Sequence, residues 1–86
     1  MALQLKPDYI NAVNNRAAAK YKLKDYKGSI EDCSKALQMN AKYGLAYLNR
    51  GIAKEMLQDD AGACADWKKA IELGVDMANS YVGDCK

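Results

Sequence analysis

The 86-residue chain contains no histidine, so the commonest general base and the commonest metal ligand are both missing. Its three cysteines, Cys33, Cys64 and Cys85, form no Cys-x-x-Cys pair, which leaves a zinc or dithiol redox site without its usual spacing. An odd number of cysteines fits a disulfide framework poorly and fits reduced, buried thiols well. No apolar run approaches the ~18 residues of a membrane span. Residues 1–7 have neither the charged start nor the apolar stretch of a secretory leader, so a cytoplasmic location is the default expectation. Lys and Arg number 13 against 11 Asp and Glu, a net charge of +2, too even for the dense basic face that nucleic acid requires. One basic stretch, Lys20-Tyr21-Lys22 with Lys24, Tyr26 and Lys27, lies beside Asp25 and Glu31-Asp32 and reads as the solvated face of a helix. These absences predict a chain that is not an enzyme, with no cofactor or metal, and with neither nucleic acid nor membrane as partner.

What is present is a foldable composition. Half the residues are apolar and 28% are charged, values of a folded rather than a disordered chain. The length fits a single domain whose core is thin, because a chain this small buries only about 60–65% of the surface it exposes when unfolded.

The organising feature is an internal repeat. At an offset of 34 residues, Ala12 matches Ala46, Asn15 matches Asn49, Arg16 matches Arg50, and Ala19-Lys20 matches Ala53-Lys54. Further on, Asp25 matches Asp59, Gly28 matches Gly62, Asp32 matches Asp66, and Lys35-Ala36 matches Lys69-Ala70. The pattern predicts repeats at 10–43 and 44–77, the tail of a preceding unit at 1–6 and a capping helix at 78–86, all within one domain spanning 1–86. A fixed period of this size is the mark of a stacked solenoid. Ala, Leu, Lys, Glu and Gln dominate, which predicts helices at about 9–22, 26–39, 43–56, 60–73 and 76–84. Asp25 and Asp59 are placed to cap second helices, Gly74 to end one, and Asp76 to start the last. Small residues recur at Ala17/Gly51, Ser29/Ala63 and Ala36/Ala70, and larger ones at Val13/Tyr47, Cys33/Trp67 and Leu37/Ile71.

This small–large pattern resembles the tetratricopeptide repeat, whose signature is Trp-x2-Leu-Gly-x2-Tyr, then Ala-x3-Phe, then Pro. The Trp site holds Val13 and Tyr47, the Gly site Ala17 and Gly51, the Ala site Ser29 and Ala63, and the Phe site Cys33 and Trp67. The Leu and Tyr sites depart together, to Arg16 and Arg50 and to Lys20 and Lys54. The segment Gly62-Ala-Cys-Ala-Asp-Trp-Lys-Lys-Ala70 is similar to the last repeat of bacterial members. The resemblance implies an all-α, right-handed superhelix of antiparallel helix pairs with a C-terminal capping helix, acting as a protein-interaction module.

The arginines sit where leucine packs between helices, a costly place unless the head is paired or reaches water. Asp32 and Asp66 follow sixteen residues later in each repeat, so pairs Arg16–Asp32 and Arg50–Asp66 are expected, unless both groups extend into solvent.

In the family the first helices of each repeat line a concave groove that takes up peptides or helices. Projected onto that pattern, the groove here consists of Asn11, Asn14, Asn15, Ala18, Tyr21 and Lys22, then Leu45, Leu48, Asn49, Ile52, Glu55 and Met56. Side-chain amides suit a peptide backbone because each both donates and accepts, while Leu48, Ile52 and Met56 would receive apolar side chains. The stretch from Asn14-Asn15-Arg16 to Cys33 is also similar to chaperone-binding repeats that clamp a C-terminal carboxylate with basic residues. The positions that would carry those charges are Leu45 and Asn49, so the charge-assisted bonds of a clamp are absent. A second reading makes the chain an assembly scaffold: Leu3 and Leu5 leave the flank of helix 9–22 uncovered, and an apolar strip there favours homo-oligomers.

Overall fold

The computed structural model describes residues 7–85; the expected tail of a preceding unit at 1–6, with Leu3 and Leu5, lies outside them. Four α-helices follow one another: α1 (Pro7–Lys22), α2 (Tyr26–Met39), α3 (Gly44–Met56) and α4 (Asp60–Glu72). Each packs against its sequence neighbour, and α1 also touches α3, so two helix pairs stack side by side with no strand among the described residues. Pro7 opens α1 at a position where its missing N–H is no loss.

The tight hairpins within the pairs have a shared local cause. After α1, the Asp25 N–H bonds the Lys20 carbonyl and the Lys24 N–H bonds that of Tyr21, closing the helix end in a Schellman motif. The same two bonds recur after α3 from Asp59 to Lys54 and from Gln58 to Glu55, and after α4 from Val75 to Ala70 and from Gly74 to Ile71. The motif needs a left-handed residue, which is Lys24 (φ 65°), Gln58 (φ 67°) and Gly74 (φ 92°). Asp25 and Asp59 then cap the next helices as expected, each side chain accepting from an N–H three residues on, at Gly28 and Gly62. One aspartate thus ends the first helix and starts the second.

Burial follows the small–large pattern. A cluster of Ile10, Val13, Ala17, Cys33, Ala36 and Ala46 joins α1, α2 and the start of α3. A second cluster of Leu48, Ala63, Trp67, Ala70 and Ala78 joins α3, α4 and the C-terminal segment. The alanines are fully covered, which is what lets helix backbones approach closely enough for so few large side chains to fill the space.

The C-terminal segment differs from the expected capping helix at 78–86. It forms two 3-10 turns, Asp76–Ser80 and Val82–Asp84. Asn79, Ser80 and Gly83 are weak helix formers, and the chain has to fold back on α4 rather than run straight. Asp76 lies inside the first turn, and Val75 occupies the cap position without a side-chain bond. A further correction concerns the thiols: Cys64 and Cys85 form a disulfide, and only Cys33 is free. The 3-10 turns carry Cys85 back to α4, a proximity that sequence spacing does not reveal. The segment is also held by Tyr81, whose ring stacks on Trp67 with centroids 5.2 Å apart.

Candidate functional site

Two ion-pair clusters join the helices of each pair. Arg16 Nε and Nη2 donate to Asp32 Oδ2 and Oδ1 at 2.9 Å each, and Arg50 does the same to Asp66. This two-pronged geometry is the strong form of the arginine–carboxylate bond. Lys20 and Lys54 reach the same carboxylates at 3.3 and 3.2 Å, a participation that the sequence reading missed. The signal was there: both lysines stand one helical turn after the arginines, where the repeat signature has Tyr. The Arg16 hydrogen bonds hold the Asp32 carboxyl below the usual carboxylate range against its own burial. Burial, helped by the nearby Asp32 and Asp66 charges and opposed by Arg50, pushes the Cys33 thiol up to about 12. The Arg50 guanidinium also lies 5.4 Å from the centroid of the Tyr47 ring.

The contact of α1 with α3 joins the two helices that carry the expected groove residues. Asn49 Nδ2 donates to Asn14 Oδ1 at 3.0 Å, and Tyr43 Oη donates to Asn11 Oδ1 at 2.6 Å. These amides tie the two first helices together, a use that periodicity does not distinguish from ligand binding. Asn15, Leu45 and Met56 are exposed, and Asn49 and Ile52 are half-buried. Two residues are placed otherwise than the groove reading implies. Asn14 is buried beneath its bond to Asn49, and Leu48 belongs to the core with Trp67, leaving neither side chain open to a ligand. Tyr21 is half-buried and pairs with Tyr26, ring centroids 5.6 Å apart. Among the described residues no helix is long and apolar enough to cross a membrane.

No protein-family model matches the sequence, and no curated protein is significantly similar to it. The fold does have a solved counterpart: the chain has a tetratricopeptide-like, all-α helical-repeat architecture. It is similar to the first TPR of Spaghetti (RPAP3) bound to the HSP90 peptide SRMEEVD, with a TM-score of 0.73 and 26% identity. The match covers 87% of this chain and 67% of that one.

Proposed function

We propose that the chain is a protein-interaction module that binds a peptide or helix along the face shared by α1 and α3. The observation that carries this reading is the α1–α3 juxtaposition, fixed by the Asn14–Asn49 and Asn11–Tyr43 bonds. On these two helices Asn15, Leu45 and Met56 stay exposed and Ile52 half-buried, which supports their being available to a ligand. The peptide-bound structural neighbour supports the same type of partner. We divide the chain into repeats at 10–43 and 44–77, with the C-terminal turns as their cap. The favoured ligand differs from an acidic chain terminus: Leu45 is apolar and the Asn49 amide is already committed to Asn14. A segment that offers backbone groups to Asn15 and one or two apolar side chains to Ile52 and Met56 fits better. Affinity capture with the full chain as bait, repeated with Ile52→Glu and Asn15→Ala, tests the proposal. A partner lost with Ile52→Glu supports it; a partner indifferent to both substitutions places binding elsewhere.

A further inference from the structure

Between α3, α4 and the C-terminal turns lies a cavity of about 220 Å³, lined by Glu55, Asp60, Cys64, Trp67, Tyr81 and Cys85. Asp60, Cys64 and Trp67 stand at i, i+4 and i+7 on α4, so one helix face supplies half of the lining. Glu55 comes from α3, one turn beyond Ile52 and thus on the expected groove face. Tyr81 and Cys85 come from the C-terminal turns. The Trp67–Tyr81 stack and the Cys64–Cys85 bridge hold those turns against α4, so the wall opposite the helix pair is fixed in place.

The lining combines two aromatic rings with two carboxylates. Trp67 is buried, whereas Tyr81 keeps 38% of its surface exposed even in the stack. Among the described residues neither Glu55 nor Asp60 has an ion-pair partner, and no Lys or Arg lines the cavity. Lys54, beside Glu55 in the sequence, is committed to Asp66 at 3.2 Å. The start of α4 adds only about half a positive charge, which Asp60 and the capping Asp59 outweigh. The cavity is smaller than the ~300–1,000 Å³ of small-molecule pockets, a size for the end of one side chain. Ring faces attract a cation and carboxylates pair with it. A guanidinium does both at once, being flat, forked and weakly hydrated.

We propose that this cavity receives the guanidinium of an arginine in the partner segment, with Glu55 and Asp60 as its counter-charges and Tyr81 as the ring beside it. That the partner is a peptide rests on the groove reading above; the selection of a guanidinium rests on the cavity itself. An acidic or neutral side chain would leave both carboxylates without a counter-charge. Lysine would supply the charge but not the flat face that lies against a ring.

The test uses N-acetyl-arginine N-methylamide as probe and its citrulline analogue, similar in shape but uncharged, as control. Each is titrated into the isotope-labelled full chain and followed by NMR at the indole N–H of Trp67, the single tryptophan, and at the amides of Glu55, Asp60 and Tyr81. The arginine amide is expected to shift these signals saturably and the citrulline amide to leave them in place. Affinity should fall about three- to fivefold with Glu55→Gln or with Asp60→Asn, and further with both. Both residues are exposed, so the melting curves of these variants should match that of the unsubstituted chain. No saturable shift, an equal response to citrulline, or full affinity in the double variant overturns the proposal. Lys86 follows Cys85 directly, so a Lys86→Ala chain is titrated in parallel. Binding seen only in that chain would mean that Lys86 itself fills the cavity, which also overturns the proposal. Failure of the probe while partner capture still depends on Ile52 defeats this inference and spares the groove. Saturable probe binding with capture indifferent to Ile52→Glu and Asn15→Ala supports the cavity and defeats the groove.

Discussion

The indole of Trp67 occupies the space that a side chain at Gly51 would need: a Cβ there would lie 2.5 Å from Trp67 Nε1 and 2.7 Å from Cδ1. The first helix pair solves the same problem with smaller volume on one side and larger on the other, Cys33 and Ala17 both being fully buried. The two repeats therefore keep one backbone spacing with two different fillings, as close packing demands.

Gly51→Ala should consequently destabilise the fold by about 1–3 kcal/mol through overpacking, although alanine favours a helix over glycine by about 1 kcal/mol. Trp67→Ala should cost about 3–5 kcal/mol, a large part of the stability of a domain this small. Lys68→Ala, on the exposed side of α4, is the neutral reference. Thermal melts of the three variants check the order, and a Gly51→Ala chain more stable than the wild type would refute the close approach.

Leu48 and Ile52 should separate core from surface on α3. Leu48→Ala removes a buried side chain and is expected to lower stability by about 2–5 kcal/mol. Ile52→Glu acts at a half-buried position on the proposed binding face, so its main effect should appear in partner capture rather than in the melt. Circular dichroism melts beside the capture experiment distinguish the two.

The acid limb of stability should report Asp32. Its carboxyl titrates below the ordinary range because it accepts from Arg16, so the stabilisation is fully present above the unfolded-state value of about 3.9 and fades as the pH falls through the lower folded value. The difference in melting temperature between wild type and Asp32→Asn should be widest near neutrality and shrink below about pH 4. A difference independent of pH would mean that the carboxylate charge contributes nothing.

Thiol chemistry gives a prediction with a definite count. The Cys64–Cys85 bridge closes a loop with a sequence separation of 21, worth about 3 kcal/mol by the chain-entropy argument. Addition of a dithiol reductant should lower the melting temperature and free the C-terminal turns from α4. Cys33, buried with its thiol pushed up to about 12, should resist thiol reagents in the native oxidised protein and react once denatured. Rapid native labelling of Cys33 would contradict its burial.

The helix-ending turns offer a stabilising substitution. Gln58 holds a left-handed φ of 67° that Gly74 holds at the equivalent place after α4. A left-handed backbone costs a residue with a Cβ about 1–2 kcal/mol, so Gln58→Gly should raise the melting temperature, while Gly74→Ala should lower it.

The sequence by itself determined the stack of helix pairs, because a 34-residue period with small residues at fixed positions leaves few ways to bury an apolar face. It also marked the capping aspartates by a local motif and suggested the Arg16–Asp32 and Arg50–Asp66 pairs by two positions repeated in register, the structure deciding for pairing over extension into solvent. Tertiary structure decided what lies between elements whose spacing carries no such signal. Asn14 and Leu48 sit on the groove-lining helices by periodicity, yet the close approach of α1 to α3 turns one into an inter-helix bond and the other into core. Cys85 meets Cys64 only because the last residues fold back as 3-10 turns over Trp67, a direction set by packing rather than by propensity. Ala12 and Ala46 are likewise the same residue at the same repeat position, yet Ala12 is exposed and Ala46, packed with the residues of α2, is core.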